Sequence, residues 1–253
     1  MTKTDTFTLL VLGGTSAIAL AYARARLADP SLQGRATRVV LVGRNASKLD
    51  TERKHFEALG TIVDVRVADL SAPTKHSEAI AGPEPLDEVI LAYGTLTDQD
   101  RAQTENQYLT EQLDTNFTSA ALWLEQMAIR FQQQGHGTAI VIGSVAGDRG
   151  RQSNYVYGAA KAGLATFTNG LQHRFATKPD IHFLLVKPGF VDSPMTQHIQ
   201  GKGALWATPE KVAAIILRAV HKKKLTIYTP WFWSLVMLAI RNTPAMIFHK
   251  TKL

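Results

Sequence analysis

Six short apolar runs recur along the chain, most of them followed by a helix-like stretch. Leu9–Leu12 breaks at Gly13-Gly14 and leads into Ala17–Leu27; Arg38–Val42 is followed by Lys48–Leu59. Thr61–Val67 closes on ADL, and Leu86–Leu91 runs to Tyr93-Gly94 and a long mixed region, Gln103–Phe131, that suits one or two helices. Thr138–Ile142 enters Gly143-Ser144 ahead of a helix over Val156–Phe175, and Ile181–Val186 ends at Pro188-Gly189. Strands this continuously apolar need cover on both faces, and strand–helix alternation makes neighbouring strands parallel. The expected fold is α/β: a doubly wound parallel sheet with helices on both faces. No composition break interrupts the pattern, so residues 1–253 read as one domain.

Composition narrows the function. A chain with 45% hydrophobic and 19% charged residues folds rather than staying disordered. The absence of cysteine excludes a disulfide framework, a thiolate nucleophile and a cysteine-based metal site, and no metal is expected. The net charge of +7, from 28 basic and 21 acidic residues, favours a nucleotide phosphate or an anionic membrane as partner. No nucleic-acid module accompanies that charge, so nucleic acid is not an expected partner. The opening MTKTDTFTLLVLGG has too few apolar residues before its glycines for a signal peptide.

The stretch VLGGTSAIALAYA offers a turn tight enough for backbone amides and a helix N-terminus to face a pyrophosphate. Gly13, Thr15, Ser16, Ala17 and Ile18 are the candidate contacts; a plain glycine turn is the alternative. Ala17 and Ala19 stand where close approach often requires glycine, and alanine is the next smallest residue. At the end of the second strand an acid would bind a ribose and repel a 2′-phosphate. Here the strand runs into Gly43-Arg44-Asn45, and the guanidinium fork of Arg44 suits the phosphate of NADP. A solvated surface arginine is the alternative. Asp69, with Leu70 beside it, is placed to meet an adenine edge or to cap a helix near Pro73. Gly94 would keep backbone close to a nucleotide.

The stretch SVAGDRGRQSNYVYGAAK holds the chemistry. Tyr157 and Lys161 are four apart and share a helix face. Ser144 follows the fifth strand, at the end of a parallel sheet that borders a ligand crevice. Tyr155 lies off the face of Lys161 and is the weaker candidate.

Taken in order, GGTSAIA, ADL, AYG, Asn116 in LDTNFTSA, Ser144, YGAAK and KPGFVDSPM resemble a short-chain dehydrogenase/reductase over nearly the whole chain. The resemblance implies a Rossmann-type fold, with Tyr157 as acid/base and Ser144 orienting the substrate oxygen. It implies that Lys161 contacts the nicotinamide ribose and lowers the tyrosine pKa, and that Asn116 maintains a proton relay. Pro188, Gly189, Val191 and Ser193 would line the nicotinamide. NADP(H) is the expected cofactor, NAD(H) the alternative, and a homodimer or homotetramer the expected assembly. The glycine turn is one residue shorter than the common form, AYG carries Ala92 and Tyr93 where small or amide residues are usual, and Ser193 replaces a frequent threonine.

GGTS, SVAGDRGRQSNYVYGAAKAGL, KPGFVDSPMT and the tail YTPWFW…IRNTPAMIF are more closely similar to reductases of a decaprenylphosphoryl 2-keto-pentose. That likeness implies reduction of a prenyl-phosphoryl sugar, with a substrate loop near 190–208. Arg149 and Arg151 are then candidate phosphate ligands, with solvated loop arginines as the alternative, and Trp231 is a candidate substrate contact. A soluble keto-sugar or other small ketone is a second reading, and a non-enzymatic nucleotide sensor or scaffold a third. The tail, about 229–253, has a ten-residue apolar stretch from Trp231 to Ile240, about half of what crosses a bilayer. With His221–Lys224, Arg241 and Lys250 it suits an anionic membrane surface or a greasy entrance. Packing on the core or on another subunit is the alternative. The expected setting is cytoplasmic, at the inner face of the cytoplasmic membrane if the tail meets lipid.

Overall fold

A computed structural model describes residues 6–71, 82, 84–197, 199 and 203–251. Its strands are β1 (Thr6–Leu12), β2 (Ala36–Gly43), β3 (Ile62–Val67), β4 (Glu88–Leu91), β5 (Gly137–Ile142), β6 (Ile181–Pro188), β7 (Phe190–Val191), β8 (Trp206–Ala207) and β9 (Thr226–Thr229). Its α-helices are α1 (Ala17–Leu27), α2 (Ala46–Glu57), α3 (Gln99–Thr104), α4 (Asn106–Leu113), α5 (Ser119–Gln134), α6 (Tyr155–Arg174), α7 (Pro209–His221), α8 (Trp233–Asn242) and α9 (Ala245–Phe248). Seven strands form a parallel sheet in the order β3-β2-β1-β4-β5-β6-β9, while β7 and β8 pair separately. This is the doubly wound α/β architecture expected.

The continuous apolar strands have a simple cause. On β1, Leu10 and Leu12 join a core with Trp123 and Phe131 of α5 and Leu164 of α6. Leu9 and Val11 join the opposite core, with Ala19 and Tyr22 of α1, Leu49 of α2 and Ile216 of α7. Alternate side chains meet different layers, and both layers are built of buried side chains. Because β1 pairs with β2 on one side and β4 on the other, the chain direction across the sheet reverses there. A crevice opens at such a reversal, outside the carboxyl ends of the strands.

Element ends follow from local chemistry. Asn45 Oδ1 accepts the Lys48 amide at 2.9 Å to start α2, and Thr208 accepts Lys211 N at 3.3 Å with Pro209 at the first position of α7. The region read as one or two helices is three, α3 to α5, with a π-helical turn over Asp114–Thr118 before α5. The β7/β8 pair, two residues a side, is too short to leave a periodic trace in sequence. The helix anticipated near Pro73 lies outside the described residues, as does part of the 190–208 loop.

At the far end of β4, Glu88 is 4% exposed and accepts Tyr22 Oη at 2.6 Å and Arg26 Nε at 2.8 Å. A buried carboxylate requires such pairing. The cluster fastens α1 to the sheet at the edge opposite the crevice.

Candidate active site

The carboxyl ends of the strands enclose a cleft of about 600 Å³. Gly13, Thr15, Ser16, Ala17 and Ile18 line one part of it, with Arg44, Asp69 and Leu70. Gly13 turns at φ +104°, and both its amide and that of Gly14 donate to Val42 O, at 3.1 and 2.7 Å. A side chain at Gly13 would stand 2.8 Å from Tyr93 N, so glycine is demanded there by both conformation and space. The turn places the first turn of α1, whose leading amides have no intrahelical partners, against the cleft. Ala17 lines the opening, whereas Ala19 is buried in the core beneath it. Arg44 is exposed at the rim. Asp69 Oδ1 accepts Ser71 N at 3.0 Å and Ser71 Oγ at 2.8 Å. The Ser71 amide bond first, and the Arg44 charge as well, hold its carboxyl below the usual range.

At the centre, Ser144, Tyr157, Lys161 and Asn116 line the same cleft. Ser144 stands where β5 passes into a 3₁₀ turn, Val145–Asp148, and its Oγ accepts the Ala146 amide at 3.1 Å. Because that bond uses an oxygen lone pair, the hydroxyl proton stays available. Tyr157 and Lys161 project from the first turns of α6 on one face, the ammonium 5.7 Å from the phenol ring centroid. Burial pushes the Tyr157 phenol up to about 12, against the opposing effect of its hydrogen bond with Ser144. Lys161 is 4% exposed, donates to Ile142 O at 3.2 Å, and burial lowers its ammonium to about 8. The expected lowering of the tyrosine by the lysine is therefore not the dominant effect in the protein alone, where loss of solvent around the phenolate wins.

Asn116 is 1% exposed in the π-helical turn, which widens the helix enough to aim its amide inward. Its Oδ1 accepts Thr95 N at 3.0 Å and its Nδ2 donates to Gln112 O at 3.0 Å, tying the turn to the segment after β4. A side chain at Gly94 would come within 2.7 Å of that Oδ1, and Gly94 adopts φ +154°. Pro188, Gly189, Val191 and Ser193 complete this part of the lining; the Ser193 amide donates to Thr196 Oγ1 at 3.1 Å.

Beyond the centre, Leu96, Phe190, Met195, Ile199 and Trp233 make an apolar wall interrupted by Arg151 and Asn154. Arg151 Nη2 donates to the Met237 sulfur at 3.6 Å, and among the described residues its buried Nε has no hydrogen-bond partner. Burial lowers its pKa, with Asp148 opposing. Two expected substrate contacts are not brought here. Arg149 Nη1 donates instead to Ile240 O and Thr243 O at 2.5 and 2.6 Å, so its guanidinium is turned to the carbonyls at the end of α8 and lies outside the cleft lining. Trp231 is 71% exposed; Trp233, 4% exposed and packed on Gly189, is the tail aromatic in the cleft. Tyr155 is 44% exposed and outside the lining.

A family model described as short chain dehydrogenase matches residues 8–203. The chain belongs to that family. It is 31% identical over 255 residues to an uncharacterized oxidoreductase of Mycobacterium tuberculosis (strain ATCC 25618 / H37Rv), covering 99% of each chain. It is 35% identical over 247 residues to another from Streptomyces coelicolor, covering 96% of this chain and 94% of that one. Among solved structures, a short-chain dehydrogenase from Sphingobium yanoikuyae in complex with NADPH superposes with a TM-score of 0.80 at 20% identity, covering 97% of this chain and 96% of the other. A bulky-bulky ketone specific alcohol dehydrogenase from Comamonas testosteroni does so with a TM-score of 0.75 at 21% identity, covering 98% and 96%. The chain is thus an NAD(P)-dependent oxidoreductase of the short-chain type, which sets aside the non-enzymatic scaffold. Its residues fit the nucleotide: Gly13 and the residues Thr15–Ile18 bring the N-terminus of α1, with its unpartnered amides, to the cleft lining, a donor set suited to a pyrophosphate.

Proposed function

We propose that this protein reduces a ketone with NADPH, using Tyr157 as proton donor, Ser144 as the hydrogen-bond donor to the carbonyl oxygen and Lys161 as their cationic neighbour. The observation that supports it is the meeting of these three side chains in one cleft with the glycine turn. The bound nucleotide supplies the hydride. Ser144, its lone pair already engaged by Ala146 N, directs its proton to the oxygen on which charge develops. Tyr157, protonated at neutral pH, transfers its proton to that oxygen. Lys161 favours the phenolate left behind, and Asn116 fixes the backbone around it. In the reverse direction the same groups remove a proton from an alcohol.

Arg44 is the proposed reader of a 2′-phosphate. Arg44→Ala is expected to weaken NADPH by roughly tenfold or more, the worth of a charge-assisted bidentate contact, and NADH by less than twofold. Fluorescence titration of both nucleotides measures this, and equal losses would remove Arg44 from the role.

A prenyl-phosphoryl 2-keto-pentose is the proposed substrate. Arg151, which forms no ion pair among the described residues and stands beside an apolar wall, suits a phosphate carried on a hydrocarbon chain. The tail exposes Trp231, Leu235, Leu238, Met246 and Ile247 next to Arg241 and Lys250, a composition suited to an anionic membrane surface. No helix among the described residues is long and apolar enough to cross a membrane. Family resemblance supports a dimer or tetramer, and the apolar, basic tail suits a cytoplasmic setting at the inner face of the cytoplasmic membrane. The test compares NADPH oxidation with a short-prenyl phosphoryl 2-keto-pentose, ribulose 5-phosphate and ribulose. The lipid-linked ketone is expected to be preferred by kcat/KM. Replacing Leu235 and Leu238 with serine is expected to abolish binding to phosphatidylglycerol vesicles while leaving ribulose turnover unchanged. Equal use of all three ketones and no vesicle binding by the intact chain would favour a soluble keto-sugar.

A further inference from the structure

We infer that Asp148 is a positioning residue for the reduction, and that it acts by clipping the serine turn to the carboxyl ends of β6 and β9. Its side chain is 1% exposed; Oδ1 accepts Lys187 Nζ at 2.5 Å and Oδ2 accepts Tyr228 Oη at 2.6 Å. Lys187 and Tyr228 are register partners on adjacent strands, and Lys187 immediately precedes the Pro188-Gly189 part of the cleft. One carboxylate therefore joins three chain segments that are far apart in sequence. The phenol is held as a donor: burial, then the bond to Asp148, pushes Tyr228 up to about 12.

The clip reaches Ser144 through a single turn of backbone. Val145–Asp148 is one 3₁₀ turn, closed by Gly147 N donating to Ser144 O at 3.2 Å. Fixing its last residue fixes its first. Arg149 extends the attachment to the tail by donating to the carbonyls at the end of α8 and lying 3.7 Å over the Phe248 ring. Val145 packs on Trp233 and Met237 from the other side. The tail thus holds the serine in place from behind, whatever its outer face meets. A short buried carboxylate–ammonium pair with a second hydrogen bond is costly to break from one side, and such pairing fixes geometry well when every partner is satisfied.

The inference rests on the reductase chemistry of Ser144 and Tyr157, not on the identity of the ketone. Asp148→Asn, which keeps shape and loses charge, is measured on the whole chain in two ways. Amide hydrogen exchange across 144–150 is expected to speed up about tenfold or more, with β1 and α1 unchanged. Turnover of the fastest of the three ketones above is expected to fall on the order of ten- to a hundredfold, the scale of a misplaced catalytic group, with NADPH affinity kept within twofold. In a Ser144→Ala background the same substitution is expected to cost less than twofold, because the serine it positions is gone. Arg149→Gln, which releases only the tail clip, gives a smaller change of the same pattern and serves if Asp148→Asn does not fold. Unchanged exchange at 144–150, or equal losses with and without Ser144, would overturn the inference. Exchange is read without turnover, so failure of the reductase reading is seen separately, as NADPH consumption that Tyr157→Phe leaves intact.

Discussion

Tyr157→Phe is expected to lower single-turnover ketone reduction by roughly a thousandfold, the upper range of what one positioned proton donor contributes, while NADPH binds within twofold of the unaltered chain. The substitution keeps the ring, so the cleft wall and the packing of α6 survive. What is lost is the only atom of the side chain that can give a proton. Burial keeps that phenol protonated, near 12, until a neighbouring charge favours its ionised form. The group is thus poised as an acid, and removing it leaves the developing alkoxide dependent on solvent. Tyr155→Phe is the control, since that side chain is 44% exposed and outside the cleft lining; it is expected to change turnover less than twofold. Wild-type turnover in Tyr157→Phe would sink the assignment, and a matching loss in Tyr155→Phe would show that the helix start, not the proton donor, is at issue.

The sheet was legible because its strands carry one unmistakable physical demand. Leu9, Leu10, Val11 and Leu12 cannot all be buried unless both faces are covered, and the structure covers both. The central site was legible for a related reason: Tyr157 and Lys161 need only one helix to meet, and Ser144 needs only the end of a neighbouring strand. Contacts decided by distant chain segments were not. Arg149 and Arg151 look equivalent in DRGR, and which one stays free depends on where the carbonyls of α8 come to rest some ninety residues later. Trp231 and Trp233 are likewise indistinguishable in an unbroken apolar run. The bare surface of Gly189, where an added side chain would overlap the indole of Trp233, selects the second. The π-helical turn carrying Asn116 left no periodic mark, since one widened turn shifts the helical phase by a single residue. Nor did sequence single out Gly147 or Gly158, whose importance is purely a matter of space.

Those two glycines let the serine turn lie directly on the helix that carries the tyrosine and lysine. A side chain built on Gly147 would stand 2.7 Å from Ala162 N and 2.7 Å from the Lys161 carbonyl carbon. One built on Gly158 would stand 2.9 Å from Ala146 O. The obstructing atoms are backbone, so no rotamer change can relieve the clash, and the turn and α6 must separate. Restoring ordinary contact requires a shift of roughly 0.5–1 Å, which matters little to packing but much to a proton transfer. Gly147→Ala is therefore expected to cut kcat about a hundredfold, by moving Ser144 away from Tyr157 and Lys161. The strain is worth about 1–3 kcal/mol, so the melting temperature should fall by several degrees in a chain of this size. Nucleotide affinity should change little, because the glycine turn and first turn of α1 are untouched. Gly150→Ala serves as the control, since an added side chain there meets nothing within 4 Å, and it should behave as the unaltered protein. If Gly147→Ala melts normally and keeps its turnover, the serine turn does not rest on α6, and the approach of Ser144 to Tyr157 is set elsewhere. If it melts lower but retains kcat, the close contact supports the fold without aligning the chemistry.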